Sequence, residues 1–197
     1  MNIEVNIREF IDKTALVMLK LKHKNAGRKN MAYYCSFTGH RSIKAEHEQR
    51  LPALIDKAVE YAYSEGCREF LAGGAVGFDT LAARSVVRFR LSHPDVRLML
   101  VLPCTNQDEK WRDSQRGAYE YLLSVADEVE YISEEYTENC MRERNFRLAN
   151  RADIVIAYVG RNRSGAAQTA RMADSMGKTV YNLYKFLDQG ERNQENA

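Results

Sequence analysis

The sequence contains few of the residues that interrupt or cross-link a chain. Only three prolines and eleven glycines occur among 197 residues, which excludes a collagen-like or linker-dominated protein. Lys and Arg number 29 against 27 Asp and Glu, and this balance argues against a surface built mainly for nucleic acid. The apolar stretch at 15–21 is too short to span a bilayer and is interrupted by Lys20. We therefore expect one folded domain with no membrane span.

Cysteine is scarce and widely spaced. The four residues, Cys35, Cys67, Cys104 and Cys140, include no C-x-x-C pair, so no metal site is expected from them. A chain of this length does not need a disulfide framework, and no small-residue cleavage site follows the first apolar stretch. These features predict reduced thiols and a cytoplasmic location.

Positive charge is concentrated at the start of the chain. Residues 1–31 hold seven Lys or Arg and three acids, so the rest is slightly acidic. The apolar spacing predicts an amphipathic helix at 7–23, followed by a polar break at 25–30. We expect a basic head at 1–30, a domain at 31–188 and a polar tail at 189–197. The head is interpreted either as an appended segment or as a docking element for another copy of the chain or a protein partner.

From residue 33 onward, strand and helix patterns alternate. The expected strands lie at 33–38, 69–72, 97–102, 128–132, 154–159 and 179–183, and the expected helices at 51–64, 78–91, 110–125, 140–150 and 165–176. This alternation predicts an α/β fold, a Rossmann-like three-layer sandwich with a mostly parallel sheet. Ligands of such sheets bind beyond the carboxyl ends of the strands.

Three glycine-bearing loops follow strands at that same end. They run from Gly39 to Arg41, from Gly73 to Asp79 and from Gly160 to Gly165. Glycine lets backbone amides approach a ligand, and a helix N-terminus favours an anion. No loop matches G-x-G-x-x-G or G-x-x-x-x-G-K-[ST], which disfavours a dehydrogenase or a P-loop protein. The loops predict a phosphate-lined crevice.

Five stretches together are similar to the YpsA-like branch of the SLOG (SMF/DprA–LOG) superfamily. They are Thr38-Gly-His-Arg41, Gly73-Gly-Ala-Val-Gly-Phe-Asp79, the trio Pro103, Gln107 and Trp111, the pair Arg144-Asn145 ahead of 152–157, and Ser164-Gly165. The resemblance covers about residues 33–184 in register. It implies a Rossmann-like, bacterial-type domain that binds nucleotides or nucleotide-derived molecules. The superfamily also includes cytokinin-activating phosphoribohydrolases and DNA-binding DprA-type proteins.

The resemblance and the residue types together give the expected ligand-binding set: Gly39, His40, Arg41, Gly73, Gly74, Gly77, Asp79, Trp111, Arg144, Ser164 and Gly165. The glycines would give backbone access, and arginine is a natural partner of phosphate. Each polar or aromatic residue also has a structural interpretation. His40 is either a donor or a solvated loop residue, Asp79 a ribose acceptor or a helix-terminus carboxylate, and Trp111 a base platform or a core residue.

The pattern departs from the phosphoribohydrolases. Their motif is P-G-G-x-G-T-x-x-E, and aligning Gly165-Ala166 with its G-T places Thr169 where the glutamate stands. Enzyme activity is therefore an open question, with Asp79 the candidate catalytic residue. The expected function is binding or sensing of an ADP-ribose, NAD or nucleoside phosphate type of ligand, with no cofactor assigned. The alternatives are hydrolysis of an N-glycosidic or phosphoester bond in a nucleotide, and a DprA-like DNA-associated protein.

Overall fold

The computed structural model of the protein describes residues 34–192, with side chains described to residue 188. The expected head at 1–30, its helix at 7–23 and the last five residues of the tail lie outside the described residues. The described residues cover most of the expected domain and the first four residues of the expected tail.

Six parallel strands form the central sheet. They are β1 (Tyr34–Gly39), β2 (Glu69–Ala72), β3 (Arg97–Cys104), β4 (Glu128–Ser133), β5 (Ile154–Tyr158) and β6 (Thr179–Asn182). Their spatial order is β4-β3-β2-β1-β5-β6. The register pairs Ser36 with Leu71 on one side of β1 and Gly39 with Tyr158 on the other. The chain moves outward from β1 to β4 and then crosses to the opposite side of β1, which places the topological switch between β1 and β5.

Six α-helices within residues 34–192 cover the sheet. They are α1 (Leu51–Ser64), α2 (Phe78–Arg90), α3 (Asp113–Val125), α4 (Cys140–Arg151), α5 (Gly165–Ser175) and α6 (Leu183–Arg192). Helices α1, α2, α3 and α6 contact one another in a chain of neighbours, and α4 packs with α5. These two sets are the outer layers of an α/β sandwich, so the expected fold is confirmed, with a sheet that is entirely parallel.

The core lies where these layers meet the sheet. Strand β3 is buried from Leu98 to Cys104, because helices cover both of its faces. Helix α1 turns Leu54, Ile55 and Val59 inward at a helical spacing, and each is at most 2% exposed. Full burial of such a side chain contributes roughly 1.5–3 kcal/mol to stability. This rigid sheet fixes the positions of the loops that follow its strands.

Two element boundaries differ from expectation by more than one residue. Strand β3 continues through Pro103 to Cys104, because its pairing with β2 ends at Leu100 and only the β4 side remains bonded there. A proline lacking an N–H is tolerated where one side of a strand needs no ladder bond. Helix α3 begins at Asp113 rather than at residue 110, since the Gln115 side chain accepts a hydrogen bond from the Arg112 N–H ahead of the first turn. Trp111 therefore precedes the helix.

Helix α6 was not predicted from the sequence. Asn182 was assigned to a strand ending at Leu183, yet its side-chain oxygen accepts a hydrogen bond from Tyr184 N–H, as a helix-capping residue does. Leu183 and Leu187 are both fully buried one turn apart. The Asn residue and the i, i+4 leucine pair were the available signals.

None of the helices within residues 34–192 is long and apolar enough to cross a membrane. The four cysteines are buried free thiols. Within the same span, no three His, Cys, Asp or Glu side chains form a group that could hold a metal ion.

Candidate functional site

The loops after β1 and β5 meet at the topological switch. His40 donates its backbone N–H to the Tyr158 carbonyl at 3.2 Å. Its ring Nε2 accepts hydrogen bonds from the backbone N–H groups of Gly160, at 2.9 Å, and Arg161, at 3.2 Å. An imidazole that accepts at Nε2 carries its proton on Nδ1. These hydrogen bonds hold the β5 loop against the loop after β1. In this tautomer, only Nδ1 of the ring can donate a further hydrogen bond.

Burial lowers the pKa of His40, and the nearby charge of Arg161 lowers it further. Both effects favour the neutral ring that the two backbone donors require. The electrostatics and the hydrogen bonds therefore support the same protonation state.

An aromatic cluster supports the switch from inside. The Tyr158 ring stacks on Phe78 with 5.7 Å between centroids, and its hydroxyl lies 2.8 Å from Nδ1 of the fully buried His47. The same hydroxyl accepts a hydrogen bond from Lys44 N–H. A Cβ on Gly39 would overlap the Phe78 ring, so Gly39 is small because Phe78 packs on it.

The loop after β2 takes a shape that only glycine adopts readily. Gly74 and Gly77 have φ values of +63° and +82°. A Cβ on Gly74 would lie 2.5 Å from Leu102 Cδ2, and one on Gly77 would overlap the Arg41 carbonyl oxygen. These glycines are explained first by contacts within the protein, and the close approach of Gly77 places this loop against Arg41.

A buried ion pair lies beneath that loop. Arg144 Nη1 donates to the Gly73 carbonyl at 2.7 Å and lies 3.7 Å from Asp79 Oδ2. The two residues are only 8% and 5% exposed, and the Gly73 and Ala75 N–H groups point at the Asp79 carboxylate. A Cβ on Gly73 would overlap the guanidinium. Arg144 and Asp79 thus lie beneath the loop and contact its backbone, and their expected roles in ligand binding stay predictions.

Burial shifts the pKa of both members of this ion pair. Desolvation raises the pKa of Asp79, and the charges of Arg144 and Arg41 and the two N–H groups oppose that rise. Desolvation likewise lowers the pKa of Arg144 against the attraction of Asp79. Arg144 Nε has no hydrogen-bond partner within residues 34–192. Such a pair resists removal of either member, because the other would be left buried and uncompensated.

The upper side of the loop offers unused donors. No hydrogen bond within the described segment involves the backbone N–H of Val76 or Gly77, while Phe78 N–H bonds to the His40 carbonyl. Arg41 is exposed, its backbone lies against Gly77, and its charge influences Asp79 and Arg144. Backbone donors beside a free guanidinium are suited to bind an anion.

Three exposed arginines surround the switch: Arg41, Arg161 and Arg163. None of them forms an ion pair with a residue in the described part of the chain, whereas arginines farther away, such as Arg88 and Arg90, pair with Asp56 and Asp127. Within the described residues, the loops at the switch therefore carry three arginines that have no ion-pair partner.

The β5 loop ends in a capped helix. Ser164 Oγ accepts the Ala167 N–H at 3.1 Å, which is the geometry of a helix N-cap. Thr169, at the position of the phosphoribohydrolase glutamate, is buried and donates its hydroxyl to the Gly165 carbonyl. A Cβ on Gly165 would meet nothing closer than 3.6 Å, so no contact within the described residues requires glycine there.

Trp111 lies at a different part of the carboxyl edge of the sheet. Its ring packs edge-on against Tyr119 with 5.4 Å between centroids. Tyr119 and Gln107 both approach Gly74, and neither Tyr119 Oη nor Gln107 Nε2 has a hydrogen-bond partner within residues 34–192. Trp111 is thus linked to the glycine loop through two residues outside the expected ligand-binding set.

Most of the sequence-predicted residues lie close together, although they differ in burial and in the contacts they make. Those around the switch are Gly39, His40, Arg41, Gly73, Gly77, Asp79 and Arg144. Sequence reasoning missed Phe78, Tyr158 and Tyr119, whose apolar character gave no signal beyond core packing. Gln107 had a signal in its spacing from Pro103 and Trp111.

A separate groove of about 720 Å³ lies along β4 and α4. Its walls include Phe146 and Tyr131, and the ion pairs of Glu130 with Arg147 and Arg151 cross it. None of the expected ligand-binding residues lines it.

The chain is similar in sequence to a known group of bacterial proteins. The YpsA profile, described as the YspA SLOG family, matches residues 35–188. A UPF0398 protein of Halalkalibacterium halodurans is 28% identical over 126 residues, which is 63% of this chain and 62% of the relative. The match therefore spans less than two thirds of that relative's length. A UPF0398 protein of Bacillus thuringiensis is 26% identical over 76% of this chain and 78% of its own length.

Solved structures show the same fold. DNA processing protein A of Streptococcus pneumoniae superposes with a TM-score of 0.54 at 18% identity, over 76% of this chain and 50% of that one. The Helicobacter pylori protein of the same name, whose structure concerns single-stranded DNA binding, gives a TM-score of 0.54 at 18% identity, over 75% and 63%. At this identity the likeness describes architecture alone.

Proposed function

Because this chain belongs to the YpsA SLOG family, we propose that it binds a small phosphate-bearing ligand derived from a nucleotide, of the ADP-ribose, NAD or nucleoside phosphate type. The ligand would lie over the loop after β2, at the carboxyl edge of the sheet beside the topological switch. One observation carries the proposal: the Val76 and Gly77 amides have no acceptor within residues 34–192 and stand beside the unpaired, exposed Arg41.

Different residues of the proposed site have different roles in ligand binding. The buried Arg144–Asp79 pair fixes the loop before any ligand arrives, so little ordering is needed on binding. Arg41 presents a planar fork to phosphate oxygens, and Arg161 and Arg163 add positive potential. His40 holds the β5 loop against this surface. Asp79 and Arg144 are positioning residues in this scheme, and phosphate contacts Arg41 and the amides.

The first experiment is a thermal-shift screen of the full chain with pyrophosphate, AMP, ADP, ADP-ribose and NAD. A ligand at about 100 times its dissociation constant should add roughly 2.7 kcal/mol of stability. The second compares Arg41→Ala with Arg84→Ala, an exposed arginine on α2. A charge-assisted hydrogen bond contributes roughly 1.5–3 kcal/mol, so Arg41→Ala should weaken binding about 10- to 150-fold. Equal affinities in the two variants would place the site elsewhere.

Binding of single-stranded DNA is the second candidate. It is favoured by the three unpaired arginines at the switch and by the fold shared with DNA processing protein A. The balanced charge of the chain predicts against it. An oligonucleotide titration at two salt concentrations separates the candidates. Contacts with many phosphates give an affinity that falls steeply with salt, whereas a mononucleotide site gives a shallow dependence.

Hydrolysis remains the enzymatic alternative and is tested in the same samples. Release of free base or ribose phosphate by the wild type, lost in Asp79→Asn with binding retained, would make Asp79 a catalytic group. We expect binding without release, because Asp79 is 5% exposed and surrounded by its own loop.

A further inference from the structure

The groove along β4 and α4 has a volume of about 720 Å³ and contains none of the expected ligand-binding residues. Small-molecule pockets of this size are lined mainly by apolar side chains. Most of the residues that line this groove are instead charged or carry an amide, and its aromatic residues, Tyr131 and Phe146, are 42% and 48% exposed. Exposed aromatic rings among arginines and other polar side chains are typical of a surface that binds protein.

Four exposed residues of α4 and its start form a stripe along this groove. Asn139, Glu143, Phe146 and Asn150 follow one another at spacings of four, three and four residues, so they lie on one face of the helix. Phe146 is the apolar member, with Glu143 one turn before it and Asn150 one turn after it. An apolar centre with polar residues on both sides is the arrangement of a protein–protein interface.

The side of the stripe before Phe146 is acidic. The exposed Arg142 contributes the opposite charge there, but the exposed acids outnumber it, so this end is net negative. None of these acids forms an ion pair with a residue in the part of the chain that the structure describes. They are four glutamates: Glu134, Glu135, Glu138 and Glu143.

The side of the stripe after the phenylalanine is basic. Arg147 and Arg151 both pair with the single carboxylate of Glu130, at 3.2 and 2.9 Å, so one positive charge remains in excess. Lys178 Nζ donates to the Asn150 carbonyl at 3.0 Å, which adds a second base at this end. The charge of this surface therefore changes sign along α4.

A surface of this kind is complementary to a second copy of itself. A twofold axis beside Phe146 places the acidic end of one α4 opposite the basic end of the other, and the two aromatic rings meet between them. Glu143 then lies opposite the partner subunit's Asn150. Antiparallel pairing of two open β4 edges would instead bring Glu128 and Glu134 of the two copies together, and like charges at such positions are destabilising.

We propose that this surface joins two copies of the chain into a twofold dimer, in which α4 packs antiparallel against the partner subunit's α4 with Phe146 at the centre. The inference goes beyond the proposed function and does not depend on it, because none of the expected ligand-binding residues lines the groove.

The first test measures the dimer dissociation constant of the full chain by sedimentation over a range of protein concentrations. The variant is Phe146→Ala, and the matched control is Tyr121→Ala, which removes a 44% exposed aromatic ring from α3, outside the groove. An aromatic residue at the centre of an interface contributes strongly to binding, so Phe146→Ala should weaken the dimer at least about tenfold. Tyr121→Ala should leave the dissociation constant unchanged.

The second test reverses the charge pattern and then restores it. Glu143→Lys and Asn150→Glu should each weaken the dimer about three- to tenfold, since each change occurs twice in a twofold interface. The double variant places a lysine opposite a glutamate on both sides of the axis, so it should recover most of the wild-type affinity. The two positions are too far apart on one helix to contact each other directly, so this recovery reports a contact between subunits.

The inference is overturned if the wild type stays monomeric up to about 1 mM, a concentration at which even a weak dimer forms. It is also overturned if a dimer forms and Phe146→Ala leaves its dissociation constant unchanged, because another surface would then hold it together. A double variant that dimerises no better than the two single variants likewise contradicts the antiparallel arrangement of α4.

Discussion

The loops after β2 and β5 lie on either side of β1, and both contain glycines. They differ in the type of interaction that holds each loop in place. The β2 loop is held by the buried Arg144–Asp79 pair and by glycines with positive φ. The β5 loop is held by neutral contacts: the His40 ring, the Asn182 side chain bonded to both polar groups of Val159, and the Ser164 cap. A substitution in the β2 loop should therefore lower the stability of the fold, whereas one in the β5 loop should change it little.

The largest effect is expected on removing the cation below the β2 loop. Arg144→Met leaves the Asp79 carboxylate buried without its partner, so the free energy of unfolding should fall by about 3–5 kcal/mol in urea denaturation. The control is Arg147→Met on the same helix, whose exposed ion pair with Glu130 contributes about 1 kcal/mol or less. Adding Asp79→Asn to Arg144→Met should recover part of the loss. Equal losses in the two single variants would contradict the role of the buried pair.

A smaller effect separates the glycines of the two loops. Gly73→Ala forces a Cβ into the Arg144 guanidinium and should cost about 1–3 kcal/mol. Gly165→Ala meets open space at the first turn of α5 and should be neutral or stabilise by about 0.4–1 kcal/mol. Thermal unfolding of both variants measures the difference. A stable Gly73→Ala protein would show that the loop moves easily away from Arg144.

The smallest expected effect is on the pH dependence of stability, through the hydrogen bonds between His40 and the β5 loop. The folded pKa of His40 lies below the unfolded value of 6.5, so the unfolded chain binds more protons between the two values. The stability that His40 contributes is complete above about pH 6.5 and is lost as pH falls through its lowered folded pKa. Urea unfolding of wild type and His40→Gln between about pH 5 and 7 should give a steeper rise with pH for the wild type. Parallel curves would show that protonation does not break the Gly160 and Arg161 bonds.

Much of this architecture could be predicted from local patterns. The alternation of strand and helix predicted the parallel sheet, and the glycine clusters at 39, 73–77 and 160–165 all lie at loops following strands, as expected. The YpsA SLOG resemblance is confirmed by the profile over residues 35–188. The α6 helix was missed, and the start of α3 was misplaced by three residues, because these ends depend on the side-chain caps of Asn182 and Gln115.

Residue roles were harder to obtain from the sequence than residue positions. Asp79 and Arg144 are far apart in the chain, and both residue types are usually exposed, so nothing local indicated that they are buried against each other. The direction of the His40 ring depended on two amides 120 and 121 residues away. The ligand roles assigned to Asp79, Arg144 and His40 remain predictions.

The sequence by itself determined the order of elements, because hydrophobic periodicity and glycine placement act over a few residues. Only the tertiary structure decided which charges are exposed and which are buried. In the sequence, Arg41 and Arg144 are two arginines with the same expected role, yet Arg41 is exposed and Arg144 is only 8% exposed beneath Gly73. Burial is set by what packs on a residue from distant parts of the chain, and that burial decides whether an arginine is available to bind phosphate or supports the loop that does.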